Sequence, residues 1–352
     1  MTSRTMLAAL VGAAAVTLAP ISGAALAQDK KVKVQMAGAF PSSTAILGPA
    51  QKRTVDMMRL MSGGSIDVKL FEPGALVPAG QYFDAVSNGS LDMAWTVSGF
   101  FTGKNIAFAL FSTVPFGPEA GEYLAWMRFG GGEQLMQDMY KPHKIVILNC
   151  GMISPEASGW FRKEIKTLDD LKGLKMRFFG LGANVMQKLG VATQLLQAGE
   201  IFQALQLGTI DATEFSMPAM DITLGFHQVA KFYYFPGWHQ MATFSHLFIS
   251  EAKWAEFSEA QKEIVRRSCD AQMLNQFAEG EAAQFAAMKE LQAKGVQIKF
   301  WGPEFIKAFQ EKWNEVAKET AEKSADFKKV WEHFQAFRAN YKIWKDHGYL
   351  KN

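Results

Sequence analysis

Polar and apolar residues alternate from Lys31 to Met36 and again from Ser65 to Leu70, each stretch lying beside Gly, Pro or Ser clusters. Both read as strands. Between them, Ile46 to Met61 has the length of a helix and stops at Gly63-Gly64. Strand, helix, strand in that order favours a parallel sheet. Lys144 to Asn149 reads as a third strand and Leu174 to Phe179 as a fourth. Thr167-Leu-Asp-Asp170 has the form of a capping box opening a short helix that Gly173 closes, and the strand that follows at once carries Arg177 in its interior. Ser258 with Gln261 caps a second helix, in which apolar positions recur at helical spacing until Gly295. At about 36 residues it is long enough to span two lobes. Val296 to Trp301 gives another strand, and the chain from there to Trp344 reads as helix. Within it Phe327, Val330, Phe334, Phe337, Tyr341 and Trp344 recur at alternating spacings of three and four, a continuous apolar stripe. The stripe either packs on its own lobe or pairs with a second subunit.

The start of the chain follows another pattern. Arg4 precedes an apolar, Ala-rich run from Thr5 to Ala19, then Pro20 and small residues ending Ala25-Leu26-Ala27. This is the three-part form of a cleavable secretory signal, with cleavage expected after Ala27. An uncleaved anchor is the alternative, but the run of roughly 15 residues is short against the ~20 that span a bilayer. The mature chain is therefore expected free in the periplasm. Its length exceeds that at which single cores stop growing, which predicts two lobes. We place lobe I at 28–150, with part of 242–300 returning to it, and lobe II at 151–241. The segment 242–352 holds the spanning helix, a return strand and the C-terminal helices. The fold class is α/β, a two-lobed binding protein.

Net charge is +3 over 352 residues, with Lys and Glu interspersed, so there is no footprint for nucleic acid. Cys150 ends a strand-like run and Cys269 lies inside a helical pattern. An oxidising compartment permits a bond between them, but the pattern does not indicate one. No second Cys or His stands near either, which argues against zinc. Signatures of catalysis are missing too: there is no Gly-x-Ser-x-Gly elbow and no His-Glu-x-x-His pair. Gly130-Gly131-Gly132 lacks the Lys-Ser/Thr that grips phosphate and reads as a turn. His239 alone of the six histidines stands beside other candidate site groups, and is expected to be a satisfied structural residue. No catalytic residue is assigned.

Several blocks carry a family resemblance. Phe71-Glu-Pro-Gly-Ala-Leu-Val-Pro and Phe83-Asp-Ala-Val-Ser-Asn-Gly-Ser-Leu-Asp-Met resemble the solute receptors of tripartite ATP-independent periplasmic (TRAP) transporters of the DctP type. So do Val114-Pro-Phe-Gly117, Trp160-Phe-Arg-Lys-Glu-Ile165, Leu171-Lys-Gly-Leu-Lys-Met-Arg177 and Gly208-Thr-Ile-Asp-Ala-Thr-Glu214. Tyr234-Phe-Pro-Gly-Trp-His-Gln240 is similar to the branch that binds 2-oxo acids and lactate. The blocks run in the family's order over nearly the whole mature chain.

The resemblance implies two α/β lobes joined by crossing strands and a long helix, closing on a small organic acid that is delivered to the membrane permease subunits. It implies that Arg177 pairs with the ligand carboxylate, for which a planar guanidinium fork is suited. It also implies a sodium or calcium ion bridging the ligand, held by Glu156, Glu214, the Phe215 carbonyl and Gln240. All are hard oxygen donors, as such ions prefer. Phe40, Phe100, Phe101, Phe178, Phe215 and Trp238 are candidates for an apolar wall, and Phe40 and Phe100 are carried with Glu156, Phe215 and Gln240 as ligand contacts. Related receptors that exchange a C-terminal helix make a homodimer one use of the stripe. A periplasmic enzyme acting on small acids and a ligand-sensing partner of a signalling receptor are the competing readings.

Overall fold

The computed structural model describes residues 29–350, so the expected signal segment lies outside the described residues. Eleven strands among them form two sheets. The first strand, β1 (Val32–Gly38), buries Val32, Val34 and Met36 while Lys33 and Gln35 face solvent, as the alternation requires. It pairs in parallel with β2 (Ile66–Phe71) and β3 (Met93–Thr96). β4 (Ile145–Ile153) runs past the expected end at Asn149, because beyond a register shift at Cys150 the residues Gly151, Met152 and Ile153 continue its ladder. β5 (Gly159–Phe161), β6 (Lys175–Arg177), β7 (Ala192–Gln194), β8 (Ala212–Thr213) and β9 (Phe232–Phe235) belong to the second sheet, and β10 (Thr243–Ser250) returns to the first. β11 (Gln297–Phe300) closes the second. The orders are β2-β1-β3-β10-β4 and β11-β9-β5-β8-β6-β7.

β10 lies between β3 and β4, antiparallel to both, and all eight of its residues are buried. Tyr123 packs edge-on against Phe244 and Tyr140 against Phe248, so helices Ala120–Phe129 and Gly132–Tyr140 cover one face. The other face carries helix Leu47–Met61 and the long helix Glu259–Ala293. The long helix opens with the expected capping box, Ser258 against Gln261, and its 35 residues extend ~50 Å. Packing it along β4 brings Cys269 to Cys150, and the two form a disulfide. Sequence spacing left that bond open; the helix-on-strand contact decides it.

The C-terminal region is two helices rather than one. Helix Pro303–Lys323 stops at Ser324, which is extended and accepts the Phe327 N–H with its side chain to start helix Ala325–Gly348. The apolar stripe divides along this second helix. Phe327, Val330 and Phe334 are buried, with Phe334 edge-on to Trp126, whereas Trp344 is 59% exposed, as is its neighbour outside the stripe, Ile343, at 69%. Among the described residues no helix is long and apolar enough to cross a membrane.

Candidate functional site

The chain passes between the sheets three times: from β4 to β5, from β9 to β10, and from β10 through the long helix to β11. The first two crossings lie against each other. The Glu156 N–H donates to the Gln240 carbonyl at 3.2 Å, and a side chain on Gly237 would strike the Glu156 carbonyl oxygen. That close approach sets Glu156 and Gln240 side by side, and Gln240 Nε2 donates to Glu156 Oε2. The other carboxylate oxygen of Glu156 accepts from Ser216 Oγ at 3.1 Å.

Arg177 ends β6, two residues earlier than the expected strand end, because Phe178 and Phe179 lead into the helix Gly180–Lys188. Parallel pairing of β6 with β8 aligns Arg177 with Thr213, and the Glu214 N–H then donates to the Arg177 carbonyl at 3.0 Å. The side chains meet as well. Arg177 Nη1 donates to Glu214 Oε2 at 2.9 Å and also to the Glu214 carbonyl, while Nε reaches the Leu196 carbonyl at 3.3 Å. One arm of the guanidinium is thus engaged before any ligand arrives. The Phe179 N–H donates to the same Glu214 oxygen at 3.0 Å. The Arg177 guanidinium lies 5.4 Å from the centre of the Phe215 ring, within cation–π range.

Charge in this cluster is strongly biased by burial. Burial pushes the Glu156 carboxyl well above the usual carboxylate range, and Glu214 and Asp221 push it the same way. Burial also acts against ionised Glu214, but the Arg177 guanidinium and then His239 outweigh it and hold its carboxyl below that range. Asp221 sits behind Ser216, accepting from the Ser216 N–H, Trp160 Nε1 and Tyr233 OH, and burial carries its carboxyl up to about 7.

His239 departs from the expectation of a satisfied structural ring. It is buried with both nitrogens lacking a hydrogen-bond partner, and Nε2 stands 3.5 Å from Glu214 Oε1 and 4.0 Å from Glu156 Oε2. The crossing from β9 to β10 drives it against the two carboxylates. Glu156, Glu214 and His239 offer ligand atoms within 4.8 Å of one another. Glu214 Oε1 and Gln240 Oε1 are likewise buried without partners. Buried polar atoms are nearly always paired, so the cluster fits a hard cation that would complete their coordination.

A small cavity adjoins this cluster. One wall, from the second sheet and its crossings, is Glu156, Arg177, Phe179, Phe215, Ser216 and Gln240. The opposite wall, from the first sheet, is Phe40, Leu47, Val97, Phe100, Ile153 and Thr243. Except for the partly exposed Phe100, these residues are buried, so a ligand enters only when the walls part. Other aromatic candidates lie elsewhere. Phe101 packs on Phe83 and Phe248 in the core, and Phe178 and Trp238 pack around His239 behind the cavity. Sequence reasoning passed over Leu47, Val97, Ile153, Phe179, Ser216 and Thr243, whose places on the walls arise from sheet pairing and not from a local motif.

A family model for bacterial extracellular solute-binding proteins, family 7 (DctP), matches residues 37–324. A monocarboxylate 2-oxoacid-binding periplasmic protein of Nostoc sp. is 35% identical over 319 residues, covering 89% of this chain and 86% of that protein. Solved structures agree. A TRAP transporter solute-binding protein of Bordetella bronchiseptica superposes with a TM-score of 0.88 at 32% identity, covering 90% of this chain and 94% of that one. It crystallised as a mixed-occupancy dimer with copurified calcium and picolinate. One from Pseudoalteromonas atlantica, with bound sodium and pyruvate, gives 0.86 at 29% identity over 90% and 96% of the two chains. One from Colwellia psychrerythraea, with calcium and pyruvate, gives 0.86 at 28% identity over 90% and 97%.

Proposed function

We infer the function of this chain from the family to which it belongs, the bacterial extracellular solute-binding proteins of family 7 (DctP): it is a TRAP receptor that binds a small 2-oxo monocarboxylate with a metal cation. It works in the periplasm after loss of residues 1–27, hands its ligand to the membrane permease, and catalyses no reaction. The observation that carries this reading is the buried convergence of Arg177, Glu156 and Gln240 on one side of a closed, otherwise largely apolar cavity, with Glu214 held against Arg177.

Charge arithmetic supports the cation. Glu156 and Glu214, if both ionised, give −2, Arg177 gives +1, and a bound carboxylate adds −1, leaving −2. Burying two uncompensated charges is costly. A monovalent ion would offset half of that and a divalent ion all of it, and a cation held here would supply the positive field that favours ionised Glu156 and the ligand's carboxylate. Glu156, Glu214, Gln240 and the Phe215 carbonyl are its proposed ligands. The free side of the Arg177 guanidinium takes the ligand carboxylate, and Phe40, Phe100 and Phe215 bound its short tail. Calorimetric titration of pyruvate into metal-stripped protein, then with sodium or calcium added, tests this. Affinity that is the same in all three conditions removes the cation, and no uptake in any removes the ligand class.

Two receptor copies pairing through the C-terminal helix is a further part of the proposal, supported by exposed Ile343 and Trp344 and by the dimeric Bordetella relative. A monomeric mass in light scattering discards it.

A further inference from the structure

The two walls of the cavity differ in chemistry. The second-sheet wall holds every charged group, whereas the first-sheet wall is apolar at Phe40, Leu47, Val97, Phe100 and Ile153 and polar at Thr243 alone among the described residues. Thr243 is the first residue of β10, directly opposite Ile153 in the antiparallel ladder with β4. It is 2% exposed, and its hydroxyl has no hydrogen-bond partner among the described residues. A buried hydroxyl without a partner carries an uncompensated desolvation cost, which a ligand oxygen can relieve. A hydroxyl can either donate or accept, so it suits a carboxylate, a 2-oxo group or a 2-hydroxyl.

We propose that Thr243 contacts the ligand directly and is the polar hold by which the first-sheet half recognises an acid anchored on the second. This rests on the receptor reading given above. An acid pinned by Arg177 and the cation cluster makes only apolar contacts with the opposite wall, except where an oxygen meets Thr243. The hydroxyl therefore adds affinity in the closed state and leaves the cation cluster untouched, since among the described residues no hydrogen bond ties it to Glu156, Glu214 or Gln240. Unlike a structural hydroxyl, it contributes nothing to the ligand-free fold.

Isosteric replacement tests this in the full mature chain. Thr243→Val is expected to weaken pyruvate binding about tenfold or more in calorimetry, with calcium or sodium present. Calcium uptake without pyruvate is expected to match the wild type, and the thermal midpoint of ligand-free Thr243→Val to stay level or rise. Thr243→Ser, which keeps the hydroxyl, is expected to retain most of the affinity. Wild-type pyruvate affinity in Thr243→Val overturns the assignment, as does a lowered ligand-free midpoint that Thr243→Ser restores, because that marks a structural hydroxyl. If the wild type itself takes up no pyruvate with either cation, the ligand reading falls first and this contact falls with it.

Discussion

The ring of Phe179 fills the space that a side chain at Gly99 would need: a Cβ built on Gly99 would lie 3.1 Å from Phe179 Cε2 and closer still to Cζ. Gly99 belongs to the first-sheet side and Phe179 to the second, so this contact exists only when the cavity walls are together. Phe179 is also tied to the polar cluster through its N–H to Glu214. Gly99→Ala should cost the open form little, since there the added methyl meets only Ser112 Oγ at 3.1 Å, and should disfavour the closed one, weakening pyruvate binding about tenfold through an overpacking cost of ~1–3 kcal/mol. Adding Phe179→Leu should recover part of the loss. Calorimetry of the single and double variants decides it, and undiminished affinity in Gly99→Ala would show that the contact does not gate closure.

Arg177→Ala should act on the fold as well as on the ligand. Its partner Glu214 would be left as a buried, unpaired carboxylate, at a cost of about 3–5 kcal/mol in stability at neutral pH. Acid affinity should fall ~30-fold or more. A second change, Glu214→Gln, should restore much of the stability without restoring binding. Denaturant melts and pyruvate titrations of the three proteins separate the two effects; full recovery of binding in the double variant would exclude Arg177 as the anchor.

Reducing the Cys150–Cys269 bond should lower stability by about 2–5 kcal/mol, since it closes a loop of 119 residues between β4 and the long helix. Urea melts with and without reductant, or of the paired Cys→Ser variant, measure this. Coincident melts would mean that packing of the helix on β4 suffices alone.

His246 predicts a loss of stability in acid. The ring is fully buried, its Nδ1 accepts from the Ser98 N–H, and burial lowers its pKa from 6.5 to about 3. Below pH 6.5 the unfolded chain takes a proton that the folded one refuses, so stability falls as pH drops toward 3, by ~1.4 kcal/mol per unit from this residue. Asp221, whose pKa is raised to about 7, has the opposite sign, because the folded state keeps its proton between its unfolded value of 3.8 and 7. The difference between wild type and His246→Asn cancels Asp221 and isolates the histidine. Thermal midpoints from pH 7 to pH 4 that fall in parallel would assign the acid sensitivity elsewhere.

How much of this was legible in the sequence follows from the range of each interaction. β1, β2 and the capped long helix announce themselves within a few residues, because alternation and capping are local. Arg177 and Glu214 stood in recognisable blocks, yet their ion pair depends on the parallel β6–β8 register, which no local pattern encodes. Thr243, Ser216 and Phe179 gave no signal, since a Thr opening a strand is ordinary until its neighbours across the cavity are known. The break at Ser324 is hidden in the sequence because the apolar spacing continues through it, although a Ser with its side chain on the Phe327 N–H is a helix start.

Glu156 and Gln240 occupy the two adjacent crossings between the sheets, and this has a mechanical consequence. They stand at the fulcrum, where the lever arm is shortest, while β2 and β7 lie at the far edges of the two sheets. A small change in how these side chains share an oxygen becomes a displacement of larger scale at the outer surfaces. The outer surfaces therefore carry the largest displacement that a change at the centre can produce.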